Sequence, residues 1–517
     1  MKNDIDKDEW IPLKEAEMIS YDEDYKIEED MVRNIPKDIE TPYDFYSLFI
    51  NESFINYLVE NTNNYGNYKK NKNIQKKEKT NTRSEKWRDI NYSDMEKFIA
   101  TLILMGLHKL PEYRDHFSKE PLLGTIAQKF LNQWSYELIC SHLHASKPKT
   151  KGKDKISYLI NDIISKSQKY YYPSTCVTID ERMISYKGKN KYVVYEPSKP
   201  TRFGFRPYVL SDYKSGYTYC LQLLEDLDDE EEENNDNNRI YNMVMSLMCG
   251  LIKNNITGKK HILATDGLYT SEKLLSEDSF NFIGQIRYNR IKYKHEEITK
   301  YIKKGSYQQF YKIVNGKYLL LTKYMDNKLV LIVSNFLNSS HTLNRYRWDK
   351  KEMKFNKMKY PEVIKIYSNL MKGVDIGNQL ISYYELKHKT YKWWKRILYH
   401  LIDISIVNSY IIYKKYKNKN YAQKDFRIEI LKSIIYKYAL VSIKNYEIKN
   451  NNLKNSNKVH LVSKDEKRGT CVYCSKTKNY STARAPVTIY ICTECKVHLC
   501  IDCFANYHKW KFTDGNK

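Results

Sequence analysis

Cys471-x2-Cys474, Cys492-x2-Cys495 and Cys500-x2-Cys503, followed by His508, have the spacing that specifies chemistry most directly in this chain. Each pair supplies two thiolates to one tetrahedral ion, so the set points to two structural Zn2+ ions. Seven ligands leave one wanting for two closed sites, and the eighth falls to His460 or His498. Three carboxylates form a second candidate set. Asp180 and Asp266 each end a short β-branched run, and Asp375 lies between Gly373 and Gly377 in the helical string KGVDIGNQL. Carried on separate elements, they suit two Mg2+ ions, hard cations that take oxygen ligands. About 4 Å apart, such ions stabilise the attacking and leaving oxygens of an in-line displacement. A lone Asp is otherwise a helix cap or a solvated turn.

The bulk composition agrees with a polyanionic partner. A net charge of +25 favours nucleic acid, because Lys and Arg displace the counterions condensed on phosphates. The charged N-terminal string MKNDIDKDEW is no signal peptide, and no apolar run is long enough to span a bilayer. Clustered rather than dispersed cysteines indicate a reducing compartment, cytosol or nucleus. Cys140, Cys176, Cys220 and Cys249 read as buried free thiols.

The elements that must position these residues follow in order. Residues 1–40 carry 14 acidic and 6 basic side chains and read as a disordered acidic arm. Residues 41–170 are helical, with Thr41 as a cap before Pro42 and a capping box expected at Ser93. The basic stretch 66–87 within them reads as a loop. Residues 171–290 turn to strands: CVTIDERMISY, NKYVVYE, FRPYVLSD and GYTYCLQLL, then HILATD and FNFIGQIR. An apolar helix from Arg239 and a short one after Ser271 interrupt them, and an acidic loop is expected at 225–236. This order is that of a ribonuclease H-like mixed sheet flanked by helices. Residues 291–361 read as an inserted β subdomain and 362–384 as the second part of the catalytic core. Residues 385–445 are helical again, 446–468 are a linker, and 469–512 form the zinc domain. The fold class is therefore multidomain α/β.

The local strings around the aspartates resemble those of the piggyBac family of DNA transposases. The resemblance runs from VTIDERMISYKGK through LATDGLYTS and the basic string with Arg287, Asn289 and Arg290 to GVDIGNQ and KTYKWWKRILYHLIDISIVNSYIIY, in family order over roughly 41–510. It implies a metal-dependent cut-and-paste transposase with Asp180, Asp266 and Asp375 as catalytic residues and Mg2+ as cofactor. It further implies TTAA targets, a hairpin intermediate, and a nuclear homodimer acting on the double-stranded DNA of terminal repeats, with neither membrane nor small-molecule substrate. The family carries a fourth carboxylate where this chain has Asn378, which implies weaker metal binding. The tail looks like the cross-brace of PHD and RING modules, where alternate ligand pairs share an ion. The alternative is a domesticated, catalytically weak or inactive chromatin- or sequence-binding protein.

Arg287 and Arg290 follow a strand near the expected metal edge and suit a phosphate clamp. In KTYKWWKR, two adjacent tryptophans cannot both face one core. Trp393 is expected to point outward and stack on an unpaired base among Lys392, Lys395 and Arg396, with Trp394 packed inside.

Overall fold

The runs that end in Asp180 and Asp266 become neighbouring strands of one large sheet. The computed structural model describes residues 7–13, 28–75, 83, 85–120, 122–123, 125–223, 236–291, 296–315, 317–337, 342–349, 353–386, 388–450, 460–477 and 485–513. The chain divides into two units at Leu431/Lys432. The first opens with β1 (Lys7–Pro12) and β2 (Met31–Val32), then the helices α1 (Pro42–Ser47), α2 (Glu52–Gln75), α3 (Tyr92–Leu107), α4 (Gln133–His142) and α5 (Ser157–Tyr170). Seven strands follow: β3 (Tyr171–Tyr172), β4 (Cys176–Glu181), β5 (Ile184–Ser185), β6 (Val194–Tyr195), β7 (Phe203–Phe205), β8 (Tyr208–Asp212) and β9 (Thr218–Gln222). Next come α6 (Asp236–Lys253), β10 (Ile262–Thr265), α7 (Glu272–Leu275), β11 (Asn281–Gln285) and α8 (Glu296–Thr299). Five strands succeed them: β12 (Tyr307–Val314), β13 (Lys317–Met325), β14 (Leu329–Ser334), β15 (Thr342–Asp349) and β16 (Lys354–Pro361). The unit closes with α9 (Glu362–Leu370), α10 (Gly373–Tyr383), α11 (Trp393–Tyr416) and the start of α12 (Gln423–Asn450).

The main sheet has the order β1-β12-β13-β14-β11-β10-β4-β8-β9. Strand β10 lies parallel to both β4 and β11, and the outer pairings are antiparallel. The central strands are buried on both faces, which is why HILATD lacks alternation. One face packs Val177, Ile179, Leu263 and Phe282 against Leu247, Met248 and Leu251 of α6. The other packs Ile262, Ala264, Ile283 and Ile332 against Val363, Ile364 and Leu370 of α9.

Several elements differ from the sequence reading. The acidic arm is not wholly disordered, because β1 pairs antiparallel with β12 and Trp10 is fully buried in the core. Strands β12–β14 extend the main sheet through β11 instead of forming a subdomain, and β15–β16 alone stand apart as a two-stranded ribbon. The expected loop at 66–87 begins as helix, because α2 runs to Gln75. Its polar end is held by the residues after the turn, with Asn67 donating to Asp89 at 2.9 Å and Gly66 lying beneath Trp87. Thr41 caps α1 as expected, but α3 is boxed by Asn91 and Asp94, whose side chains each accept from the other's backbone N–H. Most of the acidic loop at 225–236 lies outside the described residues.

The second unit contains the rest of α12, then β17 (Val462–Thr470), α13 (Val472–Thr477), β18 (Val487–Cys492) and α14 (Ile501–Thr513). Strands β17 and β18 pair antiparallel. Apart from cysteines, the fully buried members of its core among the described residues are Leu499, Phe504 and Tyr507. Among the described residues no helix is long and apolar enough to cross a membrane.

Candidate active site and zinc centres

Register brings the first two aspartates together. Ile179 of β4 pairs with Thr265 of parallel β10, so Asp180 and Asp266 leave the sheet side by side at its carboxyl edge. Glu181 joins them, and one ligand atom from each lies within 4.8 Å of the others. The turn after β10 fixes Asp266: Leu268 N–H donates to its Oδ1 at 2.8 Å, and the N–H groups of Tyr269 and Thr270 donate to its carbonyl at 3.2 Å. Glu181 N–H donates to Asp180 Oδ1 at 2.8 Å. The Tyr269 hydroxyl donates to Glu181 Oε2 at 2.8 Å, and Lys199 Nζ stands 3.4 Å from Oε1.

This crowding has an electrostatic consequence. Burial, the hydrogen bond shared with Glu181 and the charges of Glu181 and Asp266 raise the Asp180 carboxyl to about 8. Burial and Glu181 also raise Asp266. Burial opposes ionisation of Glu181 too, but the bonds from Asp180 and Tyr269 and the Lys199 ammonium outweigh it and hold that group at about 2. Clustered like charges of this kind fit a hard divalent cation, which would relieve their repulsion. The sign of the pH dependence follows. Between its ordinary value and about 8 the folded, metal-free protein holds a proton on Asp180 that the unfolded chain releases. Metal-free stability therefore falls as pH rises through that window. A cation must displace the proton, so Mn2+ is expected to raise the melting temperature more at pH 9 than at pH 6.5. Equal shifts at both pH values in a thermal melt would count against a cation at Asp180.

Helix α10 reaches this edge by close backbone contact. A Cβ on Gly373 would come within 2.6 Å of the Asp212 carbonyl and Thr178 Oγ1, and one on Gly377 within 2.7 Å of the Gly216 carbonyl. The glycines that flank Asp375 therefore let the helix lie on β4 and β8. Asp375 is exposed on the first turn and stands outside the three-carboxylate group. Its charge, with those of Glu181 and Asp180, acts on Lys199 and outweighs the burial of that lysine, so the ammonium is held more tightly than usual. Sequence reasoning named neither Glu181 nor Lys199 as a site residue. The Asp-Glu pair in VTIDER was the available signal for Glu181, whereas Lys199 is marked by nothing local.

Asn378 does not join the carboxylates. Its Oδ1 accepts from Nε of Arg182, a residue buried in the interior below α10. Nη2 of Arg182 donates to Thr218 Oγ1 at 3.3 Å, and Nη1 has no hydrogen-bond partner among the described residues. Burial lowers the guanidinium to about 10, and Asp403, the acid whose charge reaches it, is already 3.7 Å from Arg427. Asn378→Asp would put a carboxylate against this guanidinium. A buried charged hydrogen bond contributes about 2 kcal/mol, less the desolvation of the new acid. The expected result is a higher melting temperature without any divalent cation and unchanged Mn2+ affinity. A rise that appears only with Mn2+ would instead make position 378 a metal position.

The basic and aromatic candidates separate into two groups. Arg287 stays exposed, and its charge acts on Asp266. Lys392 is half-buried, with Nζ 4.9 Å from the Tyr65 ring centroid. Trp393 is half-buried and lines a concavity with Tyr192, Phe205, Arg206 and Leu223, while Trp394 is buried beside His144. The others are committed inside the protein. Arg290 donates to the carbonyls of Gly267, Leu268 and Thr270 and so braces the turn that carries Asp266. Lys395 is 4% exposed and donates to the Cys140 carbonyl, and burial lowers its ammonium to about 7. Arg396 is 5% exposed and donates to Leu386 O, Ser185 O and Glu385. Lys395 and Arg396, expected beside Trp393 at a DNA-binding surface, are instead buried and turned to protein acceptors.

The tail assembles two complete ligand sets. Cys471, Cys474, Cys500 and Cys503 form one, and His460, Cys492, Cys495 and His508 the other. Ligands of the two sets interleave along the chain, as a cross-brace requires. His460 takes the eighth position, with Nδ1 3.2 Å from Cys495 Sγ. His498 lies outside both sets, bonded to Lys467 O and Asp465. Nδ1 of His508 is 2.7 Å from Phe504 O, which leaves Nε2, 3.2 Å from Cys492 Sγ, for the ion. All ten cysteines are free.

The comparisons with known proteins agree with this geometry. A family described as Transposase IS4 matches residues 41–410, and one described as a DDE_Tnp_1-like zinc finger matches residues 455–509. Human PiggyBac transposable element-derived protein 3 is 21% identical over 431 residues, covering 80% of this chain and 70% of that protein. Human PiggyBac transposable element-derived protein 2 is 22% identical over 393 residues, covering 72% of this chain and 62% of that protein. A solved structure, the cryo-EM structure of piggyBac transposase synaptic complex with hairpin DNA, shares the fold. Its TM-score is 0.64 at 18% identity, covering 93% of this chain and 100% of that one. With a transposase family matched across most of its length and a zinc-finger family over its tail, this chain belongs to the piggyBac family of transposases.

Proposed function

We propose that this chain is a Mg2+-dependent, cut-and-paste DNA transposase that cleaves and joins strands at transposon ends. The observation that carries the reading is the meeting of Asp180, Glu181 and Asp266 at the carboxyl edge of two adjacent parallel strands. Asp180 and Asp266 would hold the ion, with Asp375 facing them from α10. Magnesium, when bound, supplies Lewis-acid stabilisation of the oxygens in an in-line displacement. The protein's own contribution is positional. Tyr269 and Lys199 keep Glu181 ionised, the Asp266 turn is braced by Arg290, and exposed Arg287 is placed to hold a phosphate beside it. Water would attack the phosphodiester at the element end, and the freed 3′-hydroxyl would attack the next strand, so no protein nucleophile is needed.

The family further suggests TTAA targets and a nuclear homodimer acting on paired duplex ends. The test is cleavage of a terminal-repeat duplex by the purified chain, with nicking expected in Mg2+ or Mn2+ and none without. A chain that binds this DNA with steep salt dependence but never nicks it would belong to the second reading, a DNA-binding descendant without catalysis. That reading draws on the neutral Asn378, which is bonded to Arg182, and on relatives named as transposable element-derived.

A further inference from the structure

The ribbon β15–β16 is unused by the site above, and its two faces differ sharply. Arg347 pairs with Asp326, and Tyr360 packs edge-on to Tyr324 at 5.5 Å, so the face that carries them is anchored to the body. The opposite face carries Tyr346 paired with Lys357, Trp348 with Phe355, and Asn344 with Lys359. Tyr346 and Phe355 are each 64% exposed and Trp348 45%. Lys357 and Lys359 are also exposed. Trp348 and Phe355 meet at 5.1 Å, and Tyr346 sits two residues from Trp348, roughly 7 Å along the strand. From Thr342 to Pro361 the sequence has seven Lys or Arg and two acidic residues.

We infer that this face binds an unpaired DNA strand, the bases stacking on Tyr346 and on the Trp348–Phe355 pair while Lys357 and Lys359 take phosphates. Exposed rings offer a π-face that any base accepts, and the flanking lysines track a backbone. A second copy of the same ribbon is a poor occupant, since the two faces would bring like charge together. The inference rests on the DNA-processing reading above and names a surface that strand separation near a cut end would occupy.

The full chain would be titrated, without divalent cation, against a dye-labelled oligo-dT strand and against a blunt duplex of equal length. Tyr346→Ala with Phe355→Ala is expected to weaken single-strand binding by roughly tenfold or more and leave duplex binding within about twofold. Lys357→Gln with Lys359→Gln is expected to weaken both and to lower the single-strand salt slope by about 1. All four residues are exposed, and an unchanged melting temperature would verify folding. Wild-type affinity in the aromatic variant overturns the inference, as does an equal loss for duplex and single strand. Binding of wild type to phosphatidylserine vesicles with none to oligo-dT overturns it as well. Normal strand binding by these variants beside a wild type that cleaves DNA removes the ribbon alone. Ribbon-dependent binding in a wild type that never cleaves supports the ribbon and removes the catalytic reading alone.

Discussion

Asp266→Asn is expected to abolish Mg2+-dependent strand cleavage while leaving the metal-free protein as stable as wild type or more so. Asp266 is half-buried next to Asp180 and Glu181, and its carboxyl is already raised by desolvation and by the Glu181 charge. Replacing it with an amide removes repulsion, and the amide oxygen still accepts the Leu268 N–H that shapes the turn. A residue that served only packing or capping would behave in the opposite way, losing stability on substitution. Asp266→Ala is a harsher version, since it also forfeits that hydrogen bond, worth about 1 kcal/mol. Asp180→Asn should act as Asp266→Asn does. For either, loss of electrostatic stabilisation at the reacting phosphate corresponds to about a thousandfold slower cleavage on a denaturing gel. Duplex binding at constant salt should be retained, because neither substitution removes a basic side chain. Asp375→Ala offers a contrast. Its side chain is exposed, so stability should hold within about 0.5 kcal/mol, and a thousandfold loss of cleavage would place it in the site despite its separation from the other three acids. Cleavage within tenfold of wild type in any of these variants would remove that carboxylate from the catalytic assignment.

Zinc removal is expected to unfold the tail as one piece. Among the described residues between Leu461 and Thr513, the fully buried apolar side chains apart from ligands are Leu499, Phe504 and Tyr507, with Val462, Val472, Tyr473, Ala485 and Val497 packed partly buried around them, too little to stabilise a segment of this size. The two four-ligand sets would supply the remainder once zinc is bound, since structural zinc contributes on the order of 10 kcal/mol of folding free energy in such modules. Because ligands of the two sets alternate along the chain, losing either ion releases segments that also carry the other's ligands. Cys474→Ser should therefore lower bound zinc by more than the one ion it touches. Metal analysis should find about two zinc ions per wild-type chain. Limited proteolysis should cut between β17 and α14 after chelation and spare that region before it. A tail that remains protease-resistant with no zinc bound would contradict the assignment.

The pairing of Asp180 with Asp266 was legible because two apolar β-branched runs, each ending in an acid, suit adjacent buried strands of a mixed sheet. The zinc ligands were legible because ligand spacing is local chemistry. What escaped the sequence depends on contacts between distant residues. Lys395 and Arg396 look like surface charge in KTYKWWKR, yet Cys140, Ser185 and Glu385 reach them from other parts of the chain. The end of α2 reads as loop by composition and is held as helix by residues 87–90. In the acidic arm, average charge concealed a single Trp that the core receives. Asn378 could be recognised as a departure from the family, but its partner Arg182, just past the end of β4 and nearly two hundred residues earlier, could not.

Strand β1 also has a consequence for how the fold is reached. Lys7 pairs with Ile313, so β1 joins the sheet only after a partner some three hundred residues later in the chain has emerged and folded. Until then Trp10 has no cavity to fill, and the edge of β12 is an open template for other chains. Closure over so long a loop is slow, and it places the aggregation hazard of this protein late in synthesis.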